Sequence, residues 1–231
     1  MASGSGVRIA PAPPRPPAEL VAAFRPMATA HLSDCMHRLC GAVGLRPYHH
    51  AGKLVGPAFT VKTRPGDNLL VHKALDLAGP GDVLVVDGGG DVTNALVGEL
   101  MGMYARRRGI AGFVVDGAIR DVAWYRDFPC WARDAVHRGP YKDGPGEINV
   151  PVAVGGLVIL PGDIVVGDED GLLAIHPEEA GRVLELARAK ARDEEEQKRA
   201  IEQGRYDRSW VDRTLAERGL LPPGGDREGS P

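Results

Sequence analysis

The sequence contains few cysteines, and they form no recognisable pattern. Cys35, Cys40 and Cys130 make neither an even-numbered framework nor a C-x-x-C pair. A disulfide-stapled fold is therefore excluded. We interpret the three residues as reduced thiols of a cytoplasmic protein, with a catalytic thiol as the alternative.

Long apolar runs and an excess of positive charge are also missing. No run approaches the roughly 20 apolar residues that span a bilayer, and the N-terminal segment Met1–Arg8 lacks the apolar core of a signal peptide. The formal net charge of -3 argues against general binding to nucleic acid. These absences predict a cytoplasmic protein that binds neither membranes nor nucleic acid.

The chain does contain enough apolar sequence for one domain of medium size. It has 231 residues, of which 43% are hydrophobic, and this suits a globular protein. Proline-rich composition predicts flexible tails over residues 1–16 and 222–231. Between them we expect a single α/β domain over residues 17–203 and a helical extension over residues 204–221.

Periodicity predicts alternating strands and helices in the first half of the chain. The expected elements are helices from Pro17 and over Leu32–Leu39, a strand over Ala58–Thr63, a helix over Leu69–Leu77, a strand over Val83–Val86, a helix over Asn94–Arg108 and a strand over Phe113–Val115. Strands joined through a helix pair in parallel, with a right-handed crossover. Short apolar runs between Val150 and Ile175 predict hairpins or a second small sheet. A long helix from Pro177 toward Gln203 and a last one over Trp210–Arg218 follow.

The spacing Glu99–x20–Arg120–Asp121 is the most informative local feature. It lies among two predicted strands and the triple glycine Gly88–Gly90, so one edge of the sheet would carry a glycine turn, a helix start, an arginine and a carboxylate. A guanidinium suits carboxylate ligands, and an aspartate supplies hard oxygen to Mg²⁺ or Mn²⁺. The alternative is that Asp121 caps the following helix and Arg120 pairs on the surface. Glu99 has its own alternative, a charge placed favourably on a helix dipole.

Other polar residues give weaker signals. The triple glycine fits neither of the common nucleotide-binding glycine motifs. No H-x-x-x-H or H-x-H pair occurs. We assign His49 and His50 to a loop where they contact substrate or only solvent, and we interpret His72 and His176 as satisfying local polar groups.

Several segments together resemble the RraA-like family. They are Val85–Gly90, Gly98–Met101, Gly112–Asp121, Gly144–Val152 and Pro161–Gly171. The resemblance covers about Leu54 to Gln203. It implies a layered αββα sandwich of the swivelling β/β/α type. The family includes class II aldolases that cleave 4-hydroxy-2-oxo dicarboxylic acids to pyruvate and also decarboxylate oxaloacetate.

The resemblance also implies roles for individual residues. Asp121 would bind Mg²⁺, Mn²⁺ or another divalent cation, Glu99 would contact the metal's water shell, and Arg120 would hold the keto and carboxylate oxygens. The carboxylate of the 2-oxo acid would be received by backbone amides of the turn Gly98, Glu99, Leu100 and Met101. Lys142 or Arg138, in a loop near the family's active site, would touch a distal carboxylate.

The same resemblance implies a homotrimer, or a hexamer of two trimers, with sites between subunits. A glutamate from a neighbouring copy would complete each site, and Glu195 or Glu196 suits that role. A solvated acidic helix face explains these two residues equally well.

Two functions follow from the resemblance, beside a third alternative, a different 2-oxo-acid or sugar-acid enzyme on the same scaffold. The first is a metal-dependent lyase, with pyruvate as its product. The alternative is a non-catalytic regulator that binds ribonuclease E or another protein. We expect such regulators to lack the acid after the arginine, so the presence of Asp121 favours the enzyme. A methyltransferase label, also used in this family, finds no support because no cofactor-binding glycine loop with an acidic partner is present.

Overall fold

The computed structural model describes residues 6–50 and 52–220. The strands are β1 Val7–Ile9, β2 Arg46–Pro47, β3 Leu54–Thr63, β4 Val83–Asp87, β5 Ala95–Val97, β6 Gly112–Ile119, β7 Cys130–Ala135, β8 Gly146–Ile148, β9 Val152–Val154, β10 Leu157–Ile159, β11 Ile164–Asp168 and β12 Gly171–Ile175. The helices are α1 Ala18–Ala22, α2 Thr29–Cys35, α3 Leu69–Leu77, α4 Glu99–Arg107, a 3-10 helix Val122–Asp127, α5 Pro177–Glu202 and α6 Ser209–Glu217. The described chain divides into two compact units, which meet between Arg188 and Ala189.

The first unit is built on a mainly parallel sheet. Its strand order is β1-β8-β3-β4-β6-β7-β2, and β5 pairs with the end of β6. Strands β3, β4, β6 and β7 run parallel to one another. The two crossovers β3–α3–β4 and β4–α4–β6 are the predicted strand–helix–strand units.

Both faces of this sheet are buried, which explains the continuous apolar runs of its strands. On one face, Leu84 and Val86 of β4 pack among residues of α3 and α4. On the other face, Val83 and Val85 pack against strands β9 to β12. Strands β11 and β12 are covered in turn by α1, α2 and the first turns of α5, through residues such as Val183. The layers are therefore helix, sheet, sheet and helix, and the predicted α/β sandwich is confirmed.

Strand β3 connects the two sheet layers. Its first residues pair with β11 and its later ones with β4. The change of partner occurs between Pro57 and Ala58. At the neighbouring Gly56, an added Cβ would lie 2.2 Å from the carbonyl oxygen of Gly81. Glycine is required there because two backbones approach closely.

The first described residues form a strand, so the prediction of a flexible tail over residues 1–16 is wrong for part of that range. Strand β1 pairs in parallel with β8 at the edge of the main sheet. Arg15 then binds Asp82, with 2.8 Å between Nη2 and Oδ1. Strand β1 is only three residues long and directly precedes the proline-rich run, so the composition of the segment concealed it. The predicted tail over residues 222–231 lies outside the described residues.

Two helix boundaries also differ from the sequence prediction. The expected helix Asn94–Arg108 is divided into β5 and α4, because Ala95–Val97 is an apolar run that extends the sheet beside β6. Helix α2 ends at Cys35 rather than Leu39, since His37 and Arg38 adopt left-handed backbone conformations that stop it.

The second unit consists of the distal half of α5 together with α6. The domain boundary expected at residue 203 therefore lies nearer residue 188, inside a continuous helix. Helix α6 buries none of its residues. No helix within the described ranges is both long and apolar enough to cross a bilayer.

Candidate active site

The predicted acid and arginine come together where β5 and β6 end. These two short segments pair in parallel, with Val97 beside Ile119. Strand β5 leads through Gly98 into α4, and β6 leads through Arg120 and Asp121 into the 3-10 helix. The Arg120 amide donates to the carbonyl of Val97 (3.0 Å), and this bond fixes the two turns side by side.

Asp121 binds the start of α4 rather than capping its own helix. Its Oδ2 accepts a hydrogen bond from the Glu99 amide (3.0 Å), and it makes no cap bond to the 3-10 helix. The capping alternative is therefore wrong. Asp121 has a left-handed backbone (φ 57°), a conformation that is uncommon for non-glycine residues and concentrates at functional sites.

Arg120 lies beside Asp121 on the same turn. Its Nε is 3.7 Å from Asp121 Oδ2, and both side chains are 44% exposed. Each therefore has solvent-facing atoms left for a ligand.

A hydrogen bond and an aromatic packing contact also hold the 3-10 helix against α4. The buried hydroxyl of Tyr125 donates to the carbonyl of Gly98 (3.1 Å), and burial raises the pKa of Tyr125, so it remains a donor at neutral pH. Trp124 covers Gly102, where an added Cβ would lie 2.2 Å from the indole ring. Together these contacts set the position of Asp121 relative to the first turn of α4.

A pocket of about 260 Å³ opens at this junction. The expected residues that line it are Gly98, Glu99, Leu100, Met101, Arg120 and Asp121. Residues that also line it are Asn68, His72, Leu96, Val97, Pro140 and Lys142. Of the two loop cations considered from the sequence, Lys142 lines the pocket and Arg138 does not.

The first turn of α4 presents fewer free amides than the sequence indicated. The Glu99 amide donates to Asp121. The amides of Leu100 and Met101 have no acceptor among the described residues, as expected at a helix start. An anion at this turn would therefore be bound by those two amides.

The amides of the triple glycine, in contrast, already donate to acceptors within the protein. The amides of Gly88 and Gly90 donate to the carbonyl of Asp116, and that of Gly89 donates to Asp87 Oδ1. The glycines therefore shape a turn and do not form an anion cradle.

Loop residues 138–144, here called the strap, run along one wall of the pocket. The Ala95 amide donates to Arg138 and the Asn94 side chain to Gly139, with bonds of 2.9 and 2.6 Å. Further on, the Asn68 amide donates to the carbonyl of Tyr141 (3.0 Å). Hydrogen bonds therefore hold one end of the strap beside β5 and the other end at the start of α3.

Asp67 is the main anchor of the strap. This fully buried carboxylate accepts the amides of Asp143 (2.7 Å), Gly144 (3.0 Å) and Leu69 (2.9 Å), and it pairs with Arg64 (3.1 Å). Burial by itself raises the pKa of Asp67, but the three amides and Arg64 outweigh it and leave the pKa below its usual value. The carboxylate is therefore ionised at any moderate pH.

Replacing Asp67 with asparagine is expected to reduce the free energy of unfolding by about 2 kcal/mol at pH 7, because hydrogen bonds to a charged group are lost. The ordinary aspartate pKa is about 3.9. Since the folded-state pKa is lower, the stabilisation is complete above that value and disappears as the pH falls through the folded-state pKa. Urea unfolding from pH 7 to pH 3 measures this difference.

Asp143→Asn is the matched control for that experiment. Asp143 lies on the same strap and is 75% exposed, and its 3.8 Å pair with Arg64 is a surface contact of little energy. It should leave stability unchanged at both pH values. Equal stability of Asp67→Asn and the wild-type protein at pH 7 would contradict the anchoring role.

His72 lies one helical turn beyond Asn68 and reaches the pocket, which the sequence did not indicate. Burial and the positive charge of Lys142 lower the pKa of His72, while Asp76 opposes them. The imidazole is therefore neutral at pH 7 and able to donate or accept one hydrogen bond.

Burial argues against the other residues considered as nucleophiles or substrate contacts, which are His49 and the thiols of Cys130 and Cys40. His49 packs against Trp131 with 4.1 Å between ring centroids, and its nitrogens lie 3.1 Å from backbone oxygens of Cys130 and Gly52. Burial raises the pKa of the Cys130 thiol well above its usual value and also raises that of Cys40. Neither thiol has the character of an activated nucleophile.

Glu195 and Glu196 lie in the second unit, on the distal half of α5. Glu195 pairs with Lys198 (2.9 Å) on the helix surface. Their contribution to a neighbouring copy's site stays a prediction.

The donor set suits a metal ion that keeps most of its water. Among residues 6–50 and 52–220, no cluster of three or more histidines, cysteines or carboxylates forms a metal cage. Asp121 offers Oδ1, because only Oδ2 accepts a hydrogen bond from a described residue. Mg²⁺ is commonly bound by one or two carboxylates, its remaining positions being taken by water and substrate, so Asp121 fits this mode.

Comparisons with known proteins identify the family of this chain. A family model described as RraA-like, Aldolase/RraA, matches residues 29–174. A protein of Halalkalibacterium halodurans, which carries the name 4-hydroxy-4-methyl-2-oxoglutarate aldolase provisionally, is 41% identical over 186 residues, 79% of this chain and 89% of that protein. The 4-hydroxy-4-methyl-2-oxoglutarate aldolase of Thermus thermophilus is 44% identical over 111 residues, 47% of this chain and 68% of that protein.

A solved structure has the same fold. Streptomyces coelicolor RraAS2, described as an unusual member of the RNase ES inhibitor RraA protein family, superposes with a TM-score of 0.73 and 31% identity. The match covers 79% of this chain and 96% of that one. The family model spans more than half of the 231 residues and includes Glu99, Arg120 and Asp121. This chain belongs to the RraA-like family.

Proposed function

We propose that this protein is a divalent-metal-dependent carbon–carbon lyase that cleaves a 4-hydroxy-2-oxo acid to pyruvate and also decarboxylates oxaloacetate. One observation carries the proposal: Asp121 is held at the free start of α4, beside Arg120, in one pocket. The aldolase names of the two relatives support the same reaction class.

The residues of the pocket divide into a carboxylate site and a charge-stabilising site. The free amides of Leu100 and Met101 receive the substrate's 1-carboxylate, because a helix start favours negative charge. Asp121 would hold the divalent cation, which would supply Lewis-acid polarisation of the 2-oxo group. Arg120 donates to the same oxygen as negative charge grows there, and a donor fixed in advance lowers the barrier most.

Proton transfer falls to Glu99. Two carboxylates line the pocket in the described chain, and Asp121 is already committed to the amide of Glu99 and to the metal. In the retro-aldol reaction, Glu99 takes the 4-hydroxyl proton, directly or through water, and the C3–C4 bond breaks. The electron pair enters the enolate of pyruvate, which is then protonated at C3. With oxaloacetate the same bond breaks and CO₂ leaves without a base.

The direct test is pyruvate release from oxaloacetate and from 4-hydroxy-4-methyl-2-oxoglutarate. We expect release in the presence of Mg²⁺, loss of release with EDTA, and recovery when excess Mg²⁺ or Mn²⁺ is added. A coupled assay with a pyruvate-consuming dehydrogenase follows both reactions.

The absence of metal-stimulated release from either substrate would contradict the lyase. The regulatory function suggested by the description of the Streptomyces relative would then be tested by inhibition of a ribonuclease of the RNase E class. Assembly into a trimer or hexamer, with Glu195 or Glu196 completing a neighbour's site, belongs to the same proposal, and the mass of the native particle measures it.

A further inference from the structure

The first described residues of the chain are bonded to the strand that follows the strap. These residues, 6–10, are here called the edge segment and include strand β1. The pocket is lined by residues from Asn68 onward, and Pro140 and Lys142 of the strap are among them. The edge segment can therefore influence the pocket only through residues that it contacts.

Strand β8 is bonded to the edge segment from one end to the other. The two strands pair in parallel. The Gly146 amide donates to the carbonyl of Gly6 (3.1 Å), and the Ala10 amide donates to the carbonyl of Ile148 (3.0 Å). Strand β8 is therefore held on both sides, by β3 on one side and by the edge segment on the other.

The strap leads directly into β8. The amides of its last residues, Asp143 and Gly144, are bound by Asp67, and only Pro145 separates them from β8. An added Cβ on Gly6 would lie 2.9 Å from the Cβ of Pro145. The edge segment therefore packs against the chain at the point where the strap ends.

The length of β8 makes this second partner important. Strand β8 has only three residues, and so short a strand gains little stability from a partner on one side alone. Segments with few bonds open locally at a much lower free energy than the whole fold. The bonds from the edge segment therefore decide how often β8 opens, and the strap with it.

The chain beyond the edge segment is fixed at a different place. Arg15 donates from Nη2 to the carbonyl of Pro80 (2.8 Å) and pairs with Asp82 (2.8 Å), just before β4 begins. These contacts lie at the amino-terminal end of β4, whereas the strap lies beside the carboxyl ends of the parallel strands. Arg15 therefore stabilises the same stretch of chain without contacting β8.

We propose that the edge segment is a positioning element of the pocket: by holding β8 it fixes the strap, and with the strap the wall that carries Pro140 and Lys142. It acts through β8 and not by contact with substrate or metal. The inference rests on the proposed lyase function only for its effect on turnover, because the order of the strap is measured without substrate.

The first test is native-state hydrogen exchange of the full-length wild-type protein. The amides of Ala10 and Gly146 report the edge segment, and those of Asp143 and Gly144 report the strap. All four should open as one unit, with the same urea dependence, before the amides of β4 and β6 open. Strap amides that open without the edge segment, or only together with β4 and β6, would overturn the proposal.

The second test loosens the edge segment in the full-length chain. Ala10→Pro removes the donor to Ile148, and Gly6→Ala places a methyl against Pro145. In the double variant, the strap amides should exchange at least about tenfold faster, as expected from the loss of one or two hydrogen bonds. The KM for oxaloacetate should rise about threefold to tenfold while kcat changes less than about twofold, which is the pattern of weakened substrate binding.

Mn²⁺ affinity of the double variant should equal that of the wild-type protein, since Asp121 is held by the start of α4 and not by the strap. A general loss of structure would weaken metal binding as well. If the double variant does not fold, Gly6→Ala alone and the exchange experiment on the wild-type protein decide the question.

Two control variants separate positioning from stability. Arg15→Ala should lower the melting temperature but leave strap exchange and KM unchanged. Gly204→Ala introduces alanine at a similar left-handed backbone (φ 63° against 65° at Gly6), with nothing within 4 Å of the added Cβ, and it should also leave both unchanged. Equal acceleration of strap exchange in Arg15→Ala and in the double variant would overturn the proposal.

The two readouts also separate this inference from the lyase function. Faster strap exchange in the double variant of a protein that releases no pyruvate would refute the lyase and support the positioning role. Unchanged strap exchange in a folded double variant would refute the positioning role, whatever the turnover.

Discussion

Asp121→Ala is expected to abolish metal-dependent release of pyruvate from oxaloacetate, with kcat/KM reduced about a thousandfold or more. The carboxylate is the pocket group that fits a hydrated Mg²⁺ ion, and loss of the Lewis acid removes several kcal/mol of charge stabilisation. Turnover in a coupled assay, together with Mn²⁺ binding by calorimetry, measures both consequences in one variant.

The fold should survive this substitution. Asp121 is 44% exposed, and its side chain does not cap the 3-10 helix. Its bond to the Glu99 amide is the structural contact that disappears. Far-UV circular dichroism and the melting temperature should therefore remain close to those of the wild-type protein.

Asp121→Asn separates two roles of the Asp121 side chain, binding the metal ion and accepting the hydrogen bond from the Glu99 amide. Its amide oxygen still accepts from the Glu99 amide, but the negative charge is gone, so activity and Mn²⁺ binding should be lost as in the alanine variant. Asp127→Ala, at the exposed end of the same 3-10 helix, should keep full activity. Full turnover of oxaloacetate by Asp121→Ala would refute the lyase assignment.

The sequence predicted this half of the site because short-range rules were sufficient. Glu99 follows one strand and Arg120–Asp121 follows another, and parallel strands present their carboxyl ends at the same edge. The prediction was incomplete in one respect. The three-residue strand Ala95–Val97, the direct neighbour of β6, was included in the following helix because its apolar run is too short to show a period of two.

The far wall of the pocket was not predictable in the same way. His72 and Lys142 are separated by seventy residues in sequence, and their proximity depends on Asp67, a buried carboxylate that collects amides from both segments. No local pattern specifies such a bond. Composition was also misleading at the glycines, because Gly88–Gly90 resembled an anion-binding turn until Asp87 and Asp116 proved to be its acceptors.

Gly98→Ala should strongly reduce the activity of the protein without removing any functional group. An added Cβ would lie 2.6 Å from Asp121 Oδ2 and 3.1 Å from Arg120 Nε. Real Cβ atoms do not approach an oxygen so closely, so Asp121 must move and give up the Glu99 amide. Displacements of about 1 Å at a reacting centre cost on the order of a hundredfold in rate, and we expect a loss of that size in kcat/KM.

Backbone strain cannot account for such a loss. Gly98 has an extended backbone (φ -148°, ψ -172°), which alanine adopts freely. Asp121 and Arg120 are half-exposed and can turn toward solvent, so the melting temperature should change little while Mn²⁺ affinity falls. The effect therefore reports the position of the two side chains rather than the stability of the fold.

Gly181→Ala is the matched control, because an added Cβ there meets nothing within 4 Å. It lies inside α5, where alanine in place of glycine contributes up to about 1 kcal/mol of stability, and activity should be unchanged. If Gly98→Ala kept wild-type kcat/KM and metal affinity, catalysis would not require Asp121 and Arg120 at their observed positions. The turn between β5 and α4 would then have to be assigned a purely structural role.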